Sequence, residues 1–361
     1  MNNTYVKRQS ALRAALEEHR LPSLLVTNLT NITYLTGFRG TAGIALFNSN
    51  DGILWVDPRY TLEAREEAKG VEVIEVREGL HKAVASWLEA HKVRRVGYEP
   101  AHLSCADFFR LEKDAGRRVK FLPAPGLVEN LRAIKDEEEL ARIRDAGRIT
   151  AEVFEKILAI VRPGVSECDL ATEIEYLMRK RGARGAAFET IVASGPRGAL
   201  PHARPSRKLL MENELVIFDL GAILGDYAAD MTRTVHLGTP SRRVRRVFDA
   251  VAEAQAKAAR CALPGVRTGE VDAVARRTLS AHGLARFFTH STGHGVGLET
   301  HEMPRLGRGE KTRLQTGHVV TVEPGVYLEG WGGIRIEDTI SVGPDGPEVL
   351  TPAPKDRWII A

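Results

Sequence analysis

The alternation of apolar and polar residues in the C-terminal half of the chain predicts two β-hairpins that present acids. In the first, an apolar run leads into Asp219, a turn follows, and a second apolar and β-branched run continues beyond Asp230. A two-residue loop at Leu224-Gly225 would place Asp219 opposite Asp230 on one face of an antiparallel pair. Opposed Cβ atoms lie about 4.5–5.5 Å apart, so the pattern predicts two adjacent carboxylates.

The second hairpin repeats this arrangement near the end of the chain. Apolar strands are predicted at residues 319–327 and 333–342, on either side of a Gly-rich turn. If the hairpin is centred on Gly330, Glu323 lies opposite Glu337. Paired carboxylates repel each other unless protons or cations neutralise them, so each pair predicts a metal site.

A histidine-rich and glycine-rich segment, HSTGHGVGLETHE, separates the two hairpins and contains His290, His294 and His301. Its glycines permit close approach of backbone and ligands. Four carboxylates and one histidine form a mixed oxygen and nitrogen donor set that suits two divalent cations. The expected ion is Mn²⁺, with Co²⁺ and Zn²⁺ as alternatives.

Residues 1–125 alternate helical and strand patterns and predict a small α/β domain. Helices are predicted near residues 5–19, 58–69, 80–91 and 104–115, and strands near residues 23–28, 43–47, 53–57, 71–76, 95–98 and 119–122. The domain has no dense cluster of potential ligands, so we expect it to serve as a support or oligomerisation domain. A linker rich in Pro and Gly at residues 123–126 separates it from a second domain at residues 127–361.

The second domain contains a diverged internal duplication. Each half begins with a long helix, predicted at residues 136–161 and 241–262, that ends before a Pro-Gly-Val sequence. A second helix follows, with Ser166 and Asp169 forming a capping box in the first half. Each half then has a histidine-bearing segment, which contains His202 in the first half, and closes with its two-acid hairpin. A pseudo-two-fold axis would bring both hairpins to one cleft.

Composition excludes several classes of protein. The chain has 361 residues, a net charge of +4 and 43% hydrophobic residues, as expected for a globular protein of two domains. The arginines at residues 242–246 alternate with apolar positions at helical spacing, so we expect a solvated helix face and no nucleic-acid partner. Three unpaired cysteines argue against a disulfide framework, and no apolar run approaches the roughly 20 residues of a membrane span. We therefore expect a cytoplasmic protein with no membrane partner.

Four segments, FDLGAILGDYAADMTRT, HSTGHGVGLETHE, TVEPGVY and GGIRIEDT, closely resemble the pita-bread metallopeptidases over about residues 131–340. That family includes methionine aminopeptidase, Xaa-Pro aminopeptidase (aminopeptidase P) and prolidase. The resemblance implies an α/β (α+β) protein with a duplicated pita-bread, creatinase/aminopeptidase-like C-terminal domain. YLTGFRGTAG and WVDPRY resemble the non-catalytic domain of the Xaa-Pro peptidases, which methionine aminopeptidases usually lack.

The resemblance also implies roles for individual residues. The implied metal ligands are Asp219, Asp230, His294, Glu323 and Glu337, with Asp230 and Glu337 bridging both ions. The implied substrate-facing histidines are His202, His290 and His301, and the implied supporting residues are Tyr327 and Arg335. Arg39, in the loop at residues 37–40, is a weaker candidate that could reach a neighbouring subunit's cleft.

These roles suggest a mechanism of amide hydrolysis. A metal-bridging hydroxide would attack the scissile carbonyl, and Glu323 would pass its proton to the leaving amine. His301 or His202 would donate a hydrogen bond to the oxyanion. His290 and His301 could form walls for the proline ring, and Arg335 lies two residues before Glu337, so both face the same side of a strand.

The expected function is that of a metal-dependent Xaa-Pro aminopeptidase, acting on peptides with proline at position 2, in a homodimer. Prolidase, which is restricted to Xaa-Pro dipeptides, remains an alternative because both enzymes use the same ligands. A metal-free pita-bread binding module, like the histone-chaperone relatives, is a further alternative, as are creatinase-like C–N hydrolases. The acids could also form ordinary salt bridges, although uncompensated acids so close together are costly.

Overall fold

The computed structural model describes residues 3–360, and the chain divides after Arg132 into an N-terminal and a C-terminal unit. This division falls later than the linker predicted at residues 123–126, because the helix Leu127–Ala133 is bonded into the N-terminal unit. Arg132 Nη1 donates to Asn31 Oδ1 at 2.7 Å, and Asn31 Nδ2 donates to Glu129 Oε1 at 2.7 Å. The breaker-rich stretch is therefore a turn within the first unit. The role of that unit in support or oligomerisation stays a prediction.

The N-terminal unit is the predicted α/β domain. Its helices are α1 (Asn3–Glu18), α2 (Leu29–Thr36), α3 (Thr61–Glu67), α4 (Leu80–Ala90), α5 (Cys105–Ala115) and α6 (Leu127–Ala133). Its strands β1 (Ser23–Val26), β2 (Ile44–Asn48), β3 (Gly52–Val56), β4 (Glu72–Glu75), β5 (Arg95–Tyr98) and β6 (Lys120–Pro123) form one sheet in the order β4-β3-β2-β1-β5-β6. The short helices α2 and α6 were not predicted. Thr and Asn, which are weak helix formers, fill much of α2, which begins after its N-cap Asn28 and ends at Gly37 with φ of 86°.

The C-terminal unit contains helices that pack against several short sheets. The helices are α7 (Glu137–Leu158), α8 (Glu167–Lys180), α9 (Arg242–Cys261) and α10 (Thr268–Ala281). The first strands are β7 (Gly185–Ala186), β8 (Ile191–Ser194), β9 (Leu215–Leu220), β10 (Ala222–Leu224), β11 (Tyr227–Ala228) and β12 (Met231–Leu237). The later strands are β13 (Gly293–Gly295), β14 (Glu302–Leu306), β15 (Val319–Val322), β16 (Gly325–Leu328), β17 (Gly332–Arg335), β18 (Asp338–Gly343), β19 (Gly346–Val349) and β20 (Ile359–Ile360).

The predicted duplication is visible as two halves with separate cores. In the first half, α7 and α8 cover a sheet with the order β20-β12-β9-β8, and Phe154 packs edge to face on Phe218. In the second half, α9 and α10 cover a sheet with the order β14-β13-β15-β18-β19. The predicted capping box of Ser166 and Asp169 is confirmed at the start of α8. Each half thus supports its acid-bearing hairpin on its own helix pair.

Three further expectations from composition can be compared with the structure. Within the described residues, no helix is both long and apolar enough to cross a membrane. Cys105, Cys168 and Cys261 are all free thiols. The arginines at residues 242–246 are exposed on α9 while Val244 is buried, as predicted for a solvated helix face.

His318 provides a prediction about stability at low pH. The residue is 3% exposed, and its Nδ1 accepts a hydrogen bond from the Gln315 backbone N–H at 2.9 Å. Burial, together with the nearby Lys135 ammonium, lowers the pKa of His318 to about 4. The unfolded chain binds this proton near its ordinary pKa of 6.5, and the folded chain does so only near 4. The free energy of unfolding should therefore be fully retained above pH 6.5 and fall between pH 6.5 and 4, by roughly 3 kcal/mol.

The His318→Gln variant should lose less stability over this pH range than the wild type. Urea unfolding of the chelated proteins at pH 6.5 and pH 4.5 measures the difference. His19→Gln, at an exposed position, serves as the control and should keep the wild-type slope. If the unfolding free energy of His318→Gln fell with pH as steeply as that of the wild type, His318 would not be the group that causes the loss.

Candidate metal centre

The first hairpin presents its two aspartates on one face, although not directly opposite each other. Asp219 in β9 lies opposite Thr232 in β12, so the predicted pairing of Asp219 with Asp230 is wrong by two residues. The turn residues are Gly225 and Asp226, with φ of 54° and 71°, which indicates a type I′ turn one residue later than predicted. Because side chains alternate with a period of two, this shift keeps Asp230 on the same face as Asp219.

The second hairpin has the predicted register. Val322 lies opposite Asp338 in the β15–β18 pair, and Gly325 lies opposite Arg335 in the β16–β17 pair. Both pairs belong to the same register, so Glu323 faces Glu337 across the gap between them. The prediction of this acid pair is confirmed.

His294 lies in β13 with its Nε2 atom facing the acids. Its Nδ1 donates to the Gly295 carbonyl at 3.0 Å, and Nε2 lies 3.4 Å from Glu323 Oε1 and 3.7 Å from Asp230 Oδ2. Burial, with a contribution from His301, lowers the pKa of His294 to about 4, so the ring is neutral at pH 7. A neutral ring with one nitrogen fixed by a carbonyl presents the other lone pair as a metal ligand.

The acids and His294 together fit divalent cations. Donor atoms of Asp230, His294 and Glu337 all lie within 4.8 Å of one another. Asp219 Oδ1 is buried and, within residues 3–360, accepts no hydrogen bond. Burial and then the neighbouring Glu337 raise the pKa of Asp230, and burial raises the pKa of Glu323 to about 8. Divalent cations would supply the positive charge that this arrangement lacks.

Arg335 connects the ligands to their surroundings. Its Nη2 donates to Asp219 Oδ2 at 2.7 Å, its Nη1 to Tyr327 Oη at 2.7 Å, and its Nε to Thr232 Oγ1 at 3.0 Å. Thr232 Oγ1 in turn donates to Glu337 Oε2 at 2.6 Å. Arg335 therefore orients Asp219 directly and Glu337 through Thr232. Thr232 was not predicted, because its contact depends on the true register of the first hairpin.

His290 is fixed by the same network. Its Nε2 lies 2.8 Å from Tyr327 Oη, and its Nδ1 lies 2.8 Å from the Ser291 carbonyl and 3.8 Å from Glu323 Oε2. Burial, followed by the charge of Arg335, lowers the pKa of His290 to about 4. A neutral ring that donates through Nδ1 accepts the Tyr327 hydroxyl proton at Nε2, while Tyr327 accepts from Arg335.

His202 and His301 lie on the open side of the site. Both are exposed, and the His301 ring lies 4.2 Å from the His294 ring between centroids. Burial and then the nearby His202 lower the pKa of His301. The two exposed histidines and the half-buried His290 are therefore neighbours of the acid cluster, and their role toward a substrate stays a prediction. Arg39 lies in the N-terminal unit, where its Nη1 is 3.3 Å from Glu67 Oε1, and its role toward another subunit stays a prediction.

A buried ion pair behind the histidine segment was also missed. Asp272 Oδ1 accepts hydrogen bonds from Thr292 Oγ1 at 2.8 Å and from its backbone N–H at 3.2 Å. Arg276 pairs with Asp272 at 2.8 Å and donates to the Phe288 carbonyl at 3.0 Å. The Thr292 carbonyl accepts from the backbone N–H of Glu323 at 2.8 Å. In the sequence, Asp272 and Arg276 are indistinguishable from an ordinary surface pair at i and i+4.

Comparisons with known proteins cover both units. The family described as metallopeptidase family M24 matches residues 141–344, and the creatinase/prolidase N-terminal domain matches residues 8–134. The chain is 34% identical to a Xaa-Pro dipeptidase of Pyrococcus horikoshii, covering 93% of this chain and 94% of that protein. A solved Xaa-Pro dipeptidase from Bacillus anthracis has a TM-score of 0.95 and 37% identity, with 98% and 99% of the two chains covered. A solved X-Pro aminopeptidase from Thermotoga maritima has a TM-score of 0.88 and 36% identity, with 96% and 100% covered.

Proposed function

This chain belongs to metallopeptidase family M24, and we propose that it is a Xaa-Pro dipeptidase, which hydrolyses the bond between an N-terminal residue and a C-terminal proline. The observation that carries the proposal is the largely buried cluster of Asp219, Asp230, His294, Glu323 and Glu337, which retains a full set of donors for divalent cations. Retention of all five donors disfavours a metal-free binding module. We propose Mn²⁺ as the ion, with Co²⁺ and Zn²⁺ as alternatives, because oxygen donors predominate.

The chain's own residues would divide the work of amide hydrolysis. Bound divalent ions would activate water and polarise the scissile carbonyl. Glu323, which is 16% exposed and has its Oε2 3.8 Å from His290 Nδ1, would accept a proton and return it to the leaving amine. His202 and His301, on the open side, would donate hydrogen bonds to the developing oxyanion.

The histidines also suit a substrate that contains proline. A Xaa-Pro bond has no N–H, and its ring restricts the backbone, so a site that requires an N–H donor would exclude it. The neutral ring of His290 and the exposed ring of His301 offer flat surfaces for the pyrrolidine ring. Peptides with proline at the second position are therefore the proposed substrates, and the cytoplasmic homodimer stays a prediction.

A cavity of about 500 Å³ beside His290 supports the dipeptidase over the aminopeptidase that we expected from sequence. Four arginines line it, Arg276, Arg286, Arg305 and Arg308, together with one acid, Glu310. Arg276 is already paired with Asp272, so the exposed Arg286, Arg305 and Arg308 are the ones available to a ligand. Arginines bind carboxylates through charge-assisted hydrogen bonds. A free carboxylate on the proline, which dipeptides have and longer peptides lack at that position, would be stabilised there. The similarity to the Thermotoga aminopeptidase keeps the aminopeptidase as the second candidate.

A substrate panel tests this choice. We expect Ala-Pro to be hydrolysed with a kcat/KM at least about 10-fold above those of Ala-Pro amide and Ala-Pro-Ala, because only the dipeptide has a carboxylate on the proline. Arg305→Gln should raise KM for Ala-Pro and leave that for the amide unchanged. Arg277→Gln, at an exposed position of α10 that does not line the cavity, is the matched control. A wild-type preference for Ala-Pro-Ala would instead support the aminopeptidase.

A further inference from the structure

The segment that contains His202 is tied at both ends to one buried carboxylate. Glu167 Oε1 accepts from the Ser194 backbone N–H at 2.7 Å and from Ser194 Oγ at 2.8 Å. Glu167 Oε2 accepts from the Ser206 backbone N–H at 3.1 Å and from Ser206 Oγ at 2.7 Å. Ser194 and Ser206 precede and follow the segment at residues 195–205. One carboxylate therefore closes the segment into a loop.

The same carboxylate also binds a cation from within the loop. Arg197 Nε lies 2.9 Å from Glu167 Oε2, and the guanidinium also donates to the carbonyl of Arg204, close to the other end. The Glu167 side chain is fully buried, whereas that of Arg197 is 32% exposed. Glu167 is the first residue of α8, where the helix dipole favours a negative charge. Its donors therefore come from both ends of the loop and from Arg197 within it.

The middle of the loop lies against the metal centre. The Pro201 carbonyl accepts from Arg335 Nη1 at 3.2 Å, the same guanidinium that binds Asp219. The Gly198 carbonyl lies so close to Gly333 that a Cβ atom there would be 2.0 Å from it. A small displacement of the ends of the loop would therefore move His202, because the close contacts of the loop leave its backbone little room to adjust.

We propose that Glu167 is a positioning residue that holds His202 at the open side of the metal centre. The proposal deepens the proposed peptidase function and rests on it. It predicts that a loss of charge at Glu167 acts on catalysis chiefly through His202, and that the five metal ligands stay in place.

The second half of the duplication contains a comparable arrangement. There Asp272, on the helix that corresponds to α8, is 1% exposed and binds both Arg276 and Thr292, as described above. This pair anchors the segment that contains His290. Each half thus uses a buried acid of its second helix, paired with an arginine, to hold the histidine segment that follows.

A double-mutant cycle tests the proposal with the metal-loaded protein and Ala-Pro as the substrate. We expect Glu167→Gln to reduce kcat/KM by about 10- to 100-fold, the effect of a displacement on the order of 1 Å, with the metal content unchanged. In the His202→Ala background the same substitution should change kcat/KM less than about 2-fold, because the residue that it positions is gone. Glu175→Gln, at an exposed position of α8, is the matched control and should match the wild type.

A second readout does not depend on turnover. Hydrogen exchange of the chelated protein should be at least about 10-fold faster at residues 195–206 in Glu167→Gln than in the wild type, and unchanged at residues 290–301. Arg197→Gln, a milder variant at a partly exposed site, should show the same pattern if Glu167→Gln fails to fold.

The outcomes separate the two proposals. A wild type that is inactive on Ala-Pro with Mn²⁺, Co²⁺ or Zn²⁺ would overturn the proposed function, whereas faster exchange in the loop would still support its anchoring by Glu167. The positioning role would be overturned if the wild type is active and the kcat/KM losses of Glu167→Gln and His202→Ala multiply fully in the double variant. It would also be overturned if hydrogen exchange at residues 195–206 is the same in Glu167→Gln as in the wild type.

Discussion

Replacement of Glu323 by glutamine is expected to reduce kcat by about three to four orders of magnitude while the fold is kept. The carboxylate is 16% exposed, and its Oε1 lies 3.4 Å from His294 Nε2. Glutamine has nearly the same shape, but it neither accepts a proton from water near neutral pH nor contributes a negative charge to the donor set. Both the proton transfer and part of the cation affinity should therefore be lost together.

The measurement is kcat for Ala-Pro at saturating metal, with metal content and thermal unfolding recorded on the same samples. Glu329→Gln is the matched control, because Glu329 is an exposed residue of the same hairpin turn. The control should retain wild-type rates and metal content. If Glu323→Gln turned over Ala-Pro at near-normal rates, Glu323 would not be the proton carrier.

The two hairpins explain why one half of the donor set could be predicted in detail and the other only approximately. In the second hairpin the strands are symmetric about Gly330, so a single assumption about the turn gave the right register. In the first hairpin Asp226 adopts a positive φ, which is uncommon outside Gly, Asn and Asp, and the turn lies at Gly225-Asp226. The resulting error was two residues, an even number, so both aspartates still faced the site.

The contacts that orient the ligands could not be predicted from local patterns. Thr232 appeared to be an ordinary β-branched strand residue, and its bonds to Arg335 and Glu337 exist only once two hairpins distant in sequence meet. Glu167 and Asp272 lie in helices whose apolar periodicity predicts which face is buried but not which groups an acid on that face binds. Residues of this kind acquire a role from long-range contacts, and a sequence pattern of 3.6 residues contains no information about them.

Removal of divalent cations is expected to abolish turnover and to make the stability of the protein fall as pH rises. Without cations, burial raises the pKa of Glu323 to about 8, and burial followed by Glu323 and Asp219 raises the pKa of Glu337. A carboxyl group whose folded pKa exceeds its unfolded value stabilises the folded state fully below the unfolded pKa of about 4.5, and this stability is lost as pH rises through 8. Bound cations remove this cost, and their affinity rises with pH because binding displaces protons.

Urea unfolding of chelated and Mn²⁺-loaded protein between pH 6.5 and pH 8.5 measures the effect in a range above the titration of His318. The chelated protein should lose roughly 2–3 kcal/mol of unfolding free energy across this range, and the loaded protein should not. Chelated Glu323→Gln should lose less than the chelated wild type, because the group with the pKa of about 8 is gone, whereas Glu329→Gln should behave as the wild type. If the stability of the chelated wild type stayed constant or rose over this range, these carboxyl groups would not be the strained, cation-dependent cluster on which the peptidase proposal rests.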